Sequence, residues 1–153
     1  MKTIEGVNGL EDHLGYWLRY VSNQVSSAFA AKVSGHGITV AEWVVLRVLY
    51  SEEGIMPSLL AERLGMTRSA ISRLVDRVEA KGLLQRRSTT SDKRAHTLSL
   101  TAKGSRLVPT IAKLADENDR DFFGHLSPEL RDTIQNAMKD IVRRRGLKVV
   151  PVD

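Results

Sequence analysis

The stretch MTRSAISRLVDRVEAKGLLQRR, residues 66–87, decides how this chain is read. Ile71, Leu74, Val75 and Val78 recur at three- and four-residue steps, which places them on one stripe of a helix turning by about 100° per residue. The opposite face is Ser69, Arg73, Asp76 and Ala80, small at both ends with one long cation between. Such a face lets a helix backbone approach a surface closely while an arginine reaches ahead of it. A major groove of DNA is such a surface, and arginine can donate two hydrogen bonds to guanine O6 and N7 there. A solvated face with scattered charge is the plainer alternative.

The flanking sequence favours the groove. Upstream, MPSLLAERLG (56–65) predicts a short helix with Pro57 in its first turn and Gly65 just past its end, and Thr67 is placed to cap the helix that follows. Two short helices joined by a tight glycine-containing turn make a helix-turn-helix. Downstream, LLQRRS (83–88) and HTLSLT (96–101) alternate as strands do and flank TTSDKRA, which predicts a hairpin with a polar, basic tip. A hairpin directly after a helix-turn-helix is a wing. Arg73 is then the expected base reader, and Ser69 and Ser72 near the helix N-terminus suit phosphate or base edges. Arg68 and Arg77 lie on the flanks, within reach of the bordering strands. Lys93 and Arg94 at the wing tip suit the narrow, electronegative minor groove, with Asp92 able to steady Arg94. Asp76, facing a polyanion, calls for neutralisation by Arg73 or by a wing cation.

Charge is distributed to match. The chain has 153 residues and a net charge of +5. Residues 56–106 hold 11 Lys and Arg against 4 Asp and Glu, while the remainder is slightly acidic. Composition, 42% hydrophobic and 27% charged, is that of one soluble domain. With no membrane-length apolar run and no signal-peptide core, a cytoplasmic protein is expected. The absence of cysteine excludes disulfides and thiolate metal sites.

Outside the basic third the chain reads as helix. Residues 10–34 predict one long amphipathic helix carrying Leu14, Trp17, Leu18, Val21, Val25 and Phe29. SGHG (34–37) breaks it, and TVAEWVVLRVLYS (39–51) follows as a central helix, apolar on most sides, with Thr39 and Glu42 at capping-box spacing. Residues 101–123 predict another helix, with Pro109 expected to kink it or mark an early turn. Ser127-Pro128-Glu129 starts a last helix with Leu130, Ile134, Met138 and Ile141 on one side. The first and last two helices are not needed to complete a winged helix. Their apolar stripes call for a dimer.

SLLAERLGMTRSAISRLVDRVEAKGLLQRR (58–87) and SDKRAHTLSLTAKG (91–104) resemble the winged-helix core of the multiple antibiotic resistance regulator (MarR) family. The likeness includes an Asp-x-Arg wing signature at Asp92 and Arg94 and a closing Leu-Thr-x-x-Gly from Leu100 to Gly104. TVAEWVVLRVL (39–49) resembles the helix preceding that core, and the likeness extends over residues 10–145. It implies a mainly α fold with a small β-wing, forming a single domain: a winged helix-turn-helix core at 39–104 between dimerisation helices at 10–34 and 105–145. It further implies a homodimer that binds pseudopalindromic double-stranded DNA operators and represses transcription until a small ligand binds. Met56 departs from the Thr or Ser common before the proline, which removes a helix cap.

In that family the junction of dimerisation and DNA-binding regions often accommodates small aromatic acids. His13, Trp17, Trp43 and Arg47 fall on the two helices expected there, with Arg47 available to a carboxylate. Alternatively Trp43 packs in the scaffold and Arg47 snorkels or pairs with Glu42 or Asp12. His13, His36, His96 and His125 show no metal-ligand spacing, and neither a nucleophile elbow nor a phosphate-cradling loop occurs. No catalytic residue, metal or cofactor is therefore assigned, and no membrane partner. A different outcome for the same basic face is a module that meets another protein or structured RNA.

Overall fold

A computed structural model describes residues 6–89 and 92–152, and for residues 89 and 92–94 the backbone alone. After a 3-10 turn at Leu10–Asp12 come helices α1 (Leu14–Ser34), α2 (Val40–Ser51), α3 (Pro57–Leu64) and α4 (Arg68–Ala80). Strands β1 (Leu84–Thr89) and β2 (Asp92–Leu100) form an antiparallel pair with Leu84 opposite Leu100 and Arg86 opposite Leu98. Helices α5 (Ala102–Phe123) and α6 (Pro128–Arg144) complete the chain. This is a winged helix carried on longer helices, the architecture expected.

The caps explain where the elements begin. Thr39 and Glu42 form the reciprocal box, the Glu42 N–H donating to Thr39 Oγ1 at 3.1 Å and the Thr39 N–H to Glu42 Oε1 at 3.0 Å. Thr67 accepts from the Ala70 N–H, and Ser127 from the Leu130 N–H. Met56 contributes no side-chain cap, and Pro57 starts α3 without one. Gly65 ends that helix at φ 62°, a left-handed conformation that glycine adopts without strain.

Two expectations are corrected. The helix over residues 10–34 is interrupted at His13, which is extended. Asp12 accepts the Gly9 N–H at 2.7 Å and His13 Nδ1 lies 3.0 Å from the Gly9 carbonyl, so local side-chain bonds compete with helical ones there. Pro109 does not start a new turn: α5 continues through it, leaving the Ser105 carbonyl without its usual helical donor. A feature the pattern had not revealed is a bridge between Ile55 and Leu98, joined by hydrogen bonds of 3.1 and 2.8 Å. It fastens the α2–α3 connection to the wing.

The core joins these parts. Leu46 of α2, Leu60 and Leu64 of α3, Leu74, Val75 and Val78 of α4, Leu84 and Leu98 of the wing, and Ile111 of α5 are all buried. The predicted stripe of α4 thus packs inward as expected. Farther along α5, buried Asn118 donates to the Val25 carbonyl at 3.1 Å and accepts from Lys32, which also pairs with Asp121 at 2.7 Å. That network locks α1 against α5.

Glu42 is buried at the start of α2, and Lys81 at the end of α4 lies 2.8 Å from both of its carboxylate oxygens. Lys81 also donates to the Gly37 carbonyl. Burial works to raise the Glu42 carboxyl, but the Lys81 hydrogen bond, the two bonds with Thr39 and the Lys81 charge together hold it below its ordinary value. A depressed folded-state value means that the stabilisation is complete above the carboxyl's unfolded-state range and disappears as pH falls through the folded one. Glu42→Gln is therefore expected to lower the denaturation midpoint at neutral pH and to lower it progressively less in acid. Equal destabilisation at both pH values would contradict the ionic account.

Candidate nucleic-acid interface

Helix α4 is held along one face and open along the other. Ile71, Leu74, Val75 and Val78 are buried, whereas Arg68, Ser69, Ser72, Arg73, Asp76, Arg77 and Ala80 are exposed. All five residues singled out on this helix therefore share an accessible surface. Because Thr67 Oγ1 satisfies one amide of the first turn, the helix begins at a defined residue and the small side chain of Ser69 leaves its N-terminal end unobstructed.

The partner of Asp76 proves to be a wing cation. Arg86 on β1 reaches back to α4, placing Nη2 2.6 Å from Asp76 Oδ1 and Nη1 2.7 Å from Glu79 Oε1. One guanidinium thereby pairs with both carboxylates of the helix and ties it to the wing. Asp76 is three residues from Arg73 and would otherwise be its natural partner. Among the described residues Arg68, Arg73 and Arg77 make no ion pair, so their charge is directed outward.

Wing residues Lys93 and Arg94, and Asp92 proposed to steady Arg94, have side chains outside the described ones. The base of the wing is well defined, since Leu84, Leu98 and the Ile55 bridge anchor it to the core.

The four residues considered for a small ligand separate. Trp17 lines an apolar groove of about 740 Å³ between α1, α5 and α6, together with Leu14, Leu18, Phe122, Ile134 and Met138. His13, Trp43 and Arg47 are not part of that lining. Trp43 is buried in the core, and His13 faces the Gly9 carbonyl. Arg47 pairs with neither Glu42 nor Asp12: it donates to Ser51 Oγ at 2.7 Å and lies over the Tyr50 ring, 5.9 Å from its centroid. Helix α2 is apolar nearly all round, so periodicity alone could not tell which of its residues faced inward. The groove itself has Arg131 at its rim, held 2.9 Å from Asp119. Its apolar walls remain unusually open, with Leu14 70% and Trp17 50% exposed.

Among the described residues no group of three or more acidic or histidine side chains is arranged to hold a metal, and no helix is long and apolar enough to cross a membrane.

Comparison with known proteins agrees with this geometry. The MarR family's sequence pattern matches residues 36–95. The chain is 29% identical over 132 residues to a putative transcriptional regulatory protein for the hcr operon of Thauera aromatica, covering 86% of this chain and 80% of that one. Its fold is similar to that of CouR from Rhodococcus jostii RHA1 bound to p-coumaroyl-CoA, with a TM-score of 0.75, 25% identity, and coverage of 94% of this chain and 99% of that one. It also matches Staphylococcus aureus MepR in complex with DNA, with a TM-score of 0.76 at 23% identity over 86% of this chain and 98% of that one.

Proposed function

We propose that the chain, which matches the MarR family over residues 36–95 and is similar to a putative transcriptional regulatory protein over most of its length, is a MarR-family sequence-specific DNA-binding transcriptional regulator, acting as a homodimer on a pseudopalindromic operator and repressing until a small ligand releases it. The observation that carries this reading is the exposed cationic face of α4, kept free by Arg86's capture of Asp76 and Glu79. Arg73 reads a base edge in the major groove, Ser69 and Ser72 approach the backbone or base edges, and Arg68 and Arg77 meet the bordering phosphates. Arg94, with Lys93 beside it, enters the adjacent minor groove. Residues 39–104 form the reading head, and the helices at 10–34 and 105–145 pair two copies so that the heads address successive major-groove faces about 34 Å apart.

Selection of bound duplexes from a random library supplies the operator, after which each variant is titrated against it and against a scrambled duplex. Arg73→Ala is expected to lose about 1 to 3 kcal/mol of discrimination per reading head. Its affinity for scrambled DNA should change far less. Arg94→Ala should weaken binding most where the site is narrow and A·T-rich. Arg86→Ala should also reduce operator affinity, because released Asp76 can turn to Arg73 or toward the phosphates. Equal operator affinity of wild type, Arg73→Ala and Arg94→Ala would refute the reading.

For the ligand we propose a small aromatic or phenolic acid. CouR's complex with p-coumaroyl-CoA supports an aromatic effector, and Trp17, which lines the groove where two copies would join, is the best placed of His13, Trp17, Trp43 and Arg47 to meet one. Phenolic acids should quench Trp17 fluorescence and release operator DNA over the same concentration range. Quenching without release would remove the effector from this account.

A further inference from the structure

Helix α6 buries none of its own residues, yet the segment after it is seated on the reading head. Gly146, at φ 64°, turns the chain out of the helix, and the Leu147 N–H closes the end by donating to the Val142 carbonyl. From there the Val150 N–H donates to the Arg63 carbonyl at 3.0 Å. Val149 lies directly over Gly65: a Cβ built on that glycine would stand 2.7 Å from Val149 Cγ1. Val152 packs against the core. The seat is therefore the end of α3 and the turn leading into α4, two residues before the Thr67 cap. The same Arg63 pairs through its side chain with Glu52 at the end of α2.

We propose that residues 147–152 are a strap through which α6 positions the turn that launches the reading helix. The Val150 backbone hydrogen bond and the Val149 side chain connect α6 to the short connection whose conformation sets where α4 begins. If α6 shifts, the strap carries the shift to Gly65 and hence to the start of α4. The inference rests on the proposed function, in which α6 belongs to the dimer arm. The strap then fixes the angle between arm and head, and so the spacing between the two reading helices. Val149 and Val150 are positioning residues that need not touch DNA.

The test compares full-length wild type, the double variant Val149→Asp with Val152→Asp, and Val149→Ile on duplexes whose half-sites are separated by the selected spacing or by one base pair more or less. Val149 is 55% exposed, so an aspartate there breaks the seat without burying a charge, and because Val152 is half-buried against the core, circular dichroism is used to check that the double variant keeps the wild-type helicity. Both variants should remain dimers by sedimentation and keep the wild-type dependence on salt. The double variant should lose spacing preference by about fivefold or more, the lower end of a typical coupling energy, while Val149→Ile retains it. Preference unchanged in the double variant overturns the strap alone. A uniform loss of affinity with a shallower salt dependence also overturns it, because the segment would then be a phosphate contact through Lys148. A wild type indifferent to spacing overturns the two-headed reading itself, and the strap's purpose with it.

Discussion

In the proposed homodimer, Ile134→Asp combined with Met138→Asp should separate the two copies and reduce operator affinity on the order of 100- to 10,000-fold. Both side chains lie on α6 one turn apart, line the apolar groove, and are 38% and 46% exposed in the single chain. They do little within the chain, and α6 buries no residue of its own. Opposite them Leu14, Trp17 and Leu18 of α1 are also exposed. Apolar surface of this extent along three helices is uncommon on a monomer and marks a protein interface. Two carboxylates placed there would be desolvated without partners on pairing, which is far more unfavourable than leaving them in water. Binding by two joined heads gains from the high effective concentration of the second after the first has docked, and a monomer forfeits that gain. Sedimentation, helicity by circular dichroism and operator titration should be measured on the same preparation. Monomers with wild-type affinity would show that pairing is irrelevant to DNA binding; persistent dimers would show that the groove is not the interface.

Helix α4 and its supports are legible in the sequence because their signals are local. Thr39, Thr67 and Ser127 cap where their residue types and spacing predict, and the stripe of α4 follows from a period of 3.6. Long-range partners leave no such trace. Arg86 is ten residues from Asp76, and only the return of β1 toward α4 brings them together. Ile55 joins the wing as a single bridged residue, too short to show any alternation. Trp43 and Arg47 fall with Trp17 on the two helices expected at the junction, but α2 is apolar on most sides, and packing, which sets which side faces the core, sends Trp43 inward and Arg47 outward. At Val149, too, nothing in the sequence around it indicates that a glycine eighty-four positions earlier is its seat.

Gly104 illustrates a residue visible as a pattern whose reason lies in three dimensions. The chain leaving α4 exposes three successive carbonyls, and the start of α5 satisfies each: Lys103 Nζ donates to Lys81, Thr101 Oγ1 to Gly82 and the Thr101 N–H to Leu83. Thr101 also accepts the Gly104 N–H and caps the helix. These bonds draw α5 so close that a Cβ on Gly104 would stand 2.0 Å from the Leu83 oxygen. The obstacle is backbone, fixed by its own bonds, and cannot rotate aside. Gly104→Ala is therefore expected to destabilise the protein by about 3 kcal/mol, at the upper end for overpacking, lowering Tm by roughly 10 °C for a chain of this size. Helix propensity alone favours Ala over Gly by about 1 kcal/mol, so the two explanations predict opposite signs. A rise in Tm for Gly104→Ala, measured by thermal denaturation, would mean that α5 does not lie against the Leu83 carbonyl. A fall would identify the close approach as the contact that sets α5 against the end of α4.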